Sequence, residues 1–267
     1  MRYNAEAVSS MRAGPRPILC PRPVPSAAVR IFLIHHAGGS SLLFREWLPH
    51  FPTDWEVCLL EAPGRGRMSD IAPIDTADRV TDIFLEGVLP LLDRPFVVFG
   101  HSMGALLAYE LTLHLMQRGG PLPAWLGLSA RGAPRPDGGS ETRNRHLMPD
   151  EALRRTIAEM GGTPDEILMD PHWWQVLKPL LRNDLRLTET WRPRPATPHL
   201  TVPLSVFGGD RDVVVTPQRL AEWSEHATRY LGLHLFSGDH FYFRSKVRAF
   251  VDQIVLDARS ALRDTGR

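Results

Sequence analysis

The chain has 267 residues, a length that suits one α/β domain, or one domain with a sizeable insertion, better than two independent units. Its hydrophobic share of 43% is ordinary for a folded protein, and a net charge of +1 argues against non-specific nucleic-acid binding. No run of about 18 apolar residues occurs, so no membrane span is expected.

Residues 1–26 lack the apolar core of a signal peptide and end in Pro21-Arg22-Pro23-Val24-Pro25. They read as a flexible leader, within which Met11 serves as a start as readily as Met1. Residues 27–267 read as a single domain. Val29 to Ile34 is a short β-branched run and the first expected strand. Further strands are expected at Glu56 to Leu60, Pro95 to Phe99, Trp125 to Leu128, Leu204 to Phe207 and Leu233 to Phe236. Helical spacing of apolar residues marks Thr76 to Leu92, Met103 to Met116, Gln218 to Tyr230 and Ser245 to Leu262. Alternation of this kind predicts a mostly parallel sheet with helices on both faces.

From about residue 132 to about 198 the alternation stops. Pro149 to Met160 and Pro171 to Leu187 are helical in pattern and are joined by Gly161-Gly162-Thr163-Pro164. This segment reads as a helical lid insertion over the C-terminal edge of the sheet. Cys20 and Cys58 have no metal-ligand spacing and form no disulfide framework. A reducing cytoplasm is therefore the expected location, with no metal and no cofactor.

Gly100-His101-Ser102-Met103-Gly104 fits the G-x-S-x-G nucleophile elbow, and it sits where the pattern requires, after a strand and before a helix. That context predicts the α/β-hydrolase fold with Ser102 as nucleophile. A serine hydroxyl needs a base, and in this fold the acid and the histidine follow the serine on late loops. Asp239-His240-Phe241 follows the last expected strand, so His240 is the candidate base. Gly208-Gly209-Asp210-Arg211-Asp212 follows the fifth strand. Asp212, leading into an apolar turn, is favoured as the residue that orients His240, leaving Asp210 to bond the loop backbone. His35-His36-Ala37-Gly38-Gly39 follows the first strand. The backbone amides of Ala37 and Met103 are the expected oxyanion-hole donors.

These motifs, with Phe44, Trp47, the turn Pro63-Gly64-Arg65 and the lid segment Pro179-Leu180-Leu181-Arg182-Asn183-Asp184, resemble the type II thioesterases of polyketide and non-ribosomal peptide synthetases over roughly residues 28 to 260. The chain departs from the family pattern at His35, where proline is usual, and at Asn183, where alanine is usual. Its Pro-Gly-Arg turn is followed sooner by a second arginine, Arg67, and its leader is longer. The resemblance implies hydrolysis of acyl thioesters from the phosphopantetheine arm of acyl or peptidyl carrier proteins by a monomer. On the lid, Trp173, Trp174, Leu177, Leu180 and Leu181 either line the acyl pocket or pack the lid, and the first three with Leu181 are the candidate substrate-binding residues. Arg143, Arg145, Arg154 and Arg155 either meet an acidic carrier surface or form a solvated face. The competing functions are an oxygen-ester hydrolase or lipase, a medium-chain acyl-carrier thioesterase, a chain-releasing cyclase and a non-catalytic carrier-binding scaffold.

Overall fold

A computed structural model describes residues 17–136 and 144–265. Seven strands form one sheet: β1 (Ile18–Leu19), β2 (Val29–Ile34), β3 (Trp55–Leu60), β4 (Phe96–His101), β5 (Trp125–Ser129), β6 (Leu204–Gly209) and β7 (Tyr230–Phe236). Their order is β1-β3-β2-β4-β5-β6-β7, and every pairing but the first is parallel. Every residue of β2 to β6 is buried. Strands buried along their whole length and mostly apolar, with Arg30 of β2 paired to Glu56 of β3, are what a sheet covered on both faces demands. This is the α/β-hydrolase arrangement that the elbow predicts.

The helices are α1 (Ala77–Val88), α2 (Met103–Arg118), α3 (Asp150–Met160), α4 (Asp165–Met169), α5 (Pro171–Thr190), α6 (Pro217–Ala221) and α7 (Val247–Thr265). Phe250 of α7 joins a buried aromatic cluster with Trp47, Phe99, Phe207 and Phe243, at centroid distances of 5.2, 5.8, 5.5 and 5.4 Å. Such edge-to-face and stacked contacts fasten α7 to the sheet beyond the gain from burial alone.

Between β5 and β6 the chain leaves the sheet to form α3, α4 and α5. These three helices carry a small core of their own, Leu153, Ile157, Leu168, Trp174, Leu181 and Leu185. The side chain of Asp170 caps α5 by accepting the N–H groups of His172 and Trp173.

Two expectations are corrected. Part of the proposed leader is structured: Ile18 and Leu19 pair antiparallel with Leu60 and Leu59, and Glu61 N–H donates to the Pro17 carbonyl at 2.8 Å. The edge of β3 offers free backbone groups, and this short segment satisfies them. Met1 and Met11 lie outside the described residues. The helix expected from Gln218 to Tyr230 stops at Ala221, tightens into a 3₁₀ turn over Glu222–Glu225, and Tyr230 opens β7 instead. The cause is tertiary. Leu200 bonds to both sides of Ala227, donating to His226 O and accepting from Thr228 N–H, which pulls these residues into an extended path.

The order β3-β2-β4 reverses the direction in which strands are added. Ligands of open α/β sheets bind beyond the strand ends at such a switch point. There, Ile34 at the end of β2 pairs with Gly100 near the end of β4.

Candidate active site

Ser102 stands between β4 and α2 with φ 57° and ψ −112°. A non-glycine residue in this region is strained and is held only by its surroundings. Ser102 N–H donates to the Ser129 carbonyl at 2.8 Å, and its own carbonyl accepts Ala105 N–H at 3.0 Å. The turn is tight because its flanking glycines let backbone touch backbone. A Cβ on Gly104 would lie 2.1 Å from the Ile34 carbonyl oxygen. The strain lifts the hydroxyl into the start of α2, where unpaired amides and the helix dipole favour negative charge.

The structure brings Ser102, His240 and Asp212 into one hydrogen-bonded row. His240 Nε2 is 3.0 Å from Ser102 Oγ, and His240 Nδ1 is 2.7 Å from Asp212 Oδ2. His240 is 1% exposed and Asp212 7%, so water does not compete for the bond between them, while Ser102 is half-buried. The second Asp212 oxygen accepts the N–H groups of Val214 and Val215 at 2.7 and 3.3 Å. Asp210 instead accepts Gly238 N–H at 2.9 Å, and so ties the β6 loop to the loop that carries His240. Those loops meet so closely that a Cβ on Gly209 would strike the Asp239 carbonyl at 2.2 Å.

Ala37 and Ser102 line one small cavity of about 20 Å³, closed by Arg131, Leu185, Thr188 and Val215 among others. The loop bearing Ala37 is anchored by a neutral histidine. Burial, reinforced by the charge of Arg65, pushes His35 down to about 3. Its Nδ1 lies 2.8 Å from His36 O, and its Nε2 accepts Ala62 N–H at 3.2 Å. The second bond fixes the proton on Nδ1. Burial also holds His36 and His101 well below the usual histidine range. His36 packs edge-on against Phe241 at 4.8 Å.

On the other side of the same loop runs a groove of about 400 Å³. Trp173, Leu177 and Leu180 of α5 face it, opposite Leu42 and Gly39. Trp174 and Leu181 do not. They turn into the core of α3 to α5 and are 1% and 4% exposed. The helical stripe has two sides, and the packing of α3 and α4 claims one of them. Arg145 is likewise no surface group: it is 5% exposed and bonds Glu189 Oε1 at 2.7 Å. Arg154 lies over the Trp174 ring at 5.1 Å, Arg155 is exposed, and Arg143 lies outside the described residues.

Reasoning from sequence missed two carboxylates. Glu61 is 3% exposed; one of its oxygens accepts the backbone N–H and hydroxyl of Ser41, and the other accepts Arg67 N–H. Asp184, on α5, meets Arg65 and Gly38. The motifs containing Arg65 and Asp184 were visible, but nothing in their spacing says that the two meet. Elsewhere, Asp78, Glu110 and His114 converge in a manner suited to a cation, and Arg194 fills that role by contacting all three.

A Ser-His-Asp row with a buried histidine and aspartate, its serine sharing a small cavity with Ala37, is equipped for acyl transfer through a serine ester. Known proteins point the same way. The gramicidin S biosynthesis protein GrsT of Aneurinibacillus migulanus is 34% identical over 217 residues, which is 81% of this chain and 84% of that protein. Thioesterase PikA5 of Streptomyces venezuelae is 31% identical over 84% of this chain and 79% of its own length. Among solved structures, the type II thioesterase BorB from the borrelidin biosynthetic cluster matches with a TM-score of 0.79 at 31% identity, covering 90% of this chain and 97% of that one. YbtT, a type II thioesterase from the yersiniabactin pathway, matches with a TM-score of 0.80 at 26% identity, covering 92% and 99%. The family model described as a thioesterase domain spans residues 29–256, from the first residue of β2 into α7, and the chain accordingly belongs to the thioesterase family.

Proposed function

We propose that this thioesterase hydrolyses acyl thioesters carried on the phosphopantetheine arm of acyl or peptidyl carrier proteins, clearing aberrant acyl units from polyketide or non-ribosomal peptide assembly. The observation that carries the reading is the Ser102–His240–Asp212 row, set beside Ala37 next to an apolar groove. The groove walls, Leu42, Trp173, Leu177 and Leu180, suit a slender arm with few charges. The biosynthetic setting is supported by relatives named for such pathways.

In this reading Ser102 Oγ attacks the thioester carbonyl while His240 Nε2 takes its proton. Asp212 holds the ring and stabilises its charged form. The amides of Ala37 and Met103 receive the developing oxyanion. The carbon–sulfur bond then breaks, and the carrier thiol leaves with the proton from His240. Water repeats the sequence on the serine ester: His240 takes one of its protons, the hydroxyl adds to the carbonyl, and the free acid departs as Ser102 regains its hydrogen.

The test is acid release from a panel of acyl-loaded carrier proteins, beside the same acyl groups on a small thiol and on an alcohol. The reading expects carrier thioesters to be cleaved fastest. Faster turnover of small oxygen esters than of every carrier thioester would overturn it in favour of an esterase.

A further inference from the structure

We propose that Asp184 is a positioning residue for the oxyanion loop, so that the helix over the active site sets the geometry of the amide that receives the oxyanion. The inference rests on the serine-thioesterase reading above and deepens it.

Asp184 lies on α5, far along the chain from the loop after β2, and is 1% exposed. Its Oδ2 accepts Gly38 N–H at 2.8 Å, across 146 positions of sequence. The same oxygen accepts Arg65 Nη1 at 2.5 Å, and Oδ1 accepts Arg65 Nη2 at 2.9 Å. Arg65 Nη1 also donates to the Gly39 carbonyl at 3.3 Å, while Nε and Nη2 reach back to Pro63 O at 3.3 and 3.0 Å. One carboxylate and one guanidinium therefore grip the turn immediately after Ala37 from both sides, at an N–H and at a C=O.

The turn needs the grip. Gly38 has φ 73°, a region open to glycine, whose chain is otherwise the least constrained of any residue. The peptide plane that carries the Ala37 N–H is held at its other end. His36 O lies 2.8 Å from His35 Nδ1 and accepts Gly39 N–H at 3.1 Å. Among the described residues, the next plane is held at its N–H by Asp184. With both planes pinned, the Ala37 amide has one direction. An oxyanion donor contributes only when it already points at the developing charge.

Stability alone is a poor account of this pair. A buried ion pair is often no better than apolar side chains of the same volume, and its best-attested use is to impose one specific arrangement. Here the fork of Arg65 engages both carboxylate oxygens, and Oδ2 accepts Gly38 N–H with a second lone pair.

Asp184→Asn tests the inference. The amide offers one oxygen and one NH₂, so Arg65, which meets both carboxylate oxygens, faces a donor in either orientation, and Gly38 N–H keeps an acceptor in only one of them. The readouts are kcat and KM for a carrier thioester, the affinity for an acyl trifluoromethyl ketone that forms the tetrahedral adduct, and the affinity for a non-cleavable acyl-pantetheine amide. We expect kcat and trifluoromethyl ketone affinity to fall together by roughly 100-fold, the scale of losing one oxyanion donor, with KM and amide affinity within threefold of wild type. Arg65→Lys, which keeps the charge and loses the fork, should show the same split at about a third of that size or more on a logarithmic scale, and it carries the test if Asp184→Asn does not fold. Unchanged kcat and ketone affinity, or a rise in KM alone, overturns the positioning role. If the wild type releases no acid from any carrier, the thioesterase reading fails before this one is reached.

Discussion

A Cβ placed on Gly100 would stand 2.0 Å from the carbonyl oxygen of Gly104. The two glycines are thus the near sides of a single turn, and neither has room for a methyl group against rigid backbone. Gly104→Ala should destabilise the protein by at least about 3 kcal/mol, well above an ordinary surface change. Chemical denaturation measures this directly. A loss of less than 1 kcal/mol would mean that the elbow can open without cost, and Ser102 would then not be strained in the sense argued above.

Asp212→Asn separates orientation from shape. The asparagine oxygen can keep the bonds to Val214 and Val215 N–H, while its NH₂ faces His240 Nδ1 and favours the wrong tautomer. The melting temperature should change little and kcat should fall by about 10³- to 10⁴-fold. A kcat within tenfold of wild type would remove Asp212 from the proposed chemistry. Asp210 is no ready substitute, because it is engaged with Gly238.

His35 gives the fold a pH dependence with a definite sign. Its value falls from 6.5 in the open chain to about 3 when folded. Below 6.5 the unfolded chain takes up a proton that the folded chain refuses, so this contribution is full above 6.5 and is lost as pH drops toward 3. One such group contributes a slope of up to about 1.4 kcal/mol per pH unit within that window. His35→Asn should flatten the stability-against-pH curve between pH 4 and 6 by about one proton relative to wild type. Parallel curves for the two proteins would show that His35 is protonated in the fold.

Adjacent tryptophans on α5 should behave oppositely. Trp174 is 1% exposed within the core of α3 to α5, whereas Trp173 is 54% exposed at the groove. Trp174→Ala should cost about 3–5 kcal/mol through the cavity it leaves. Trp173→Ala should leave the melting temperature nearly unchanged and raise KM for carrier thioesters. If the two variants showed the same pattern, the division of α5 into a core side and a groove side would be wrong.

That division also marks where sequence stops being informative. Trp173, Trp174, Leu177 and Leu181 share a helical spacing, and spacing reveals a stripe but not which neighbour covers which flank. Strands β2 to β6 were legible because short hydrophobic runs bounded by turn residues suit a strand buried on both faces, and the half-buried β7 was legible over Leu233 to Phe236 only. The pair Ile18–Leu19 was not, since two residues among prolines become a strand only by lying against β3. Tyr230 was assigned to a helix for the complementary reason: its local pattern is helical, and the pull of Leu200 on residues 226–228 is a contact from elsewhere in the chain. Ser102, His240 and Asp212 stood out because each follows a strand at its C-terminal end, a position that the fold reserves for chemistry. Asp184 carries no such address; it sits inside a helix and acts on a loop 146 positions away.

The hydrogen-bonded row proposed to do the chemistry is spread along much of the polypeptide, with Ser102 and His240 138 positions apart. A ribosome that has released everything up to β5 has made the elbow and its serine, but no imidazole to deprotonate it and no carboxylate to hold the imidazole. On the proposed mechanism, hydrolytic competence therefore waits for the docking of the last two strands. Half-made copies would then leave thioesters untouched, and in a refolding experiment the return of turnover should time the closing of the β6–β7 edge rather than the collapse of the core.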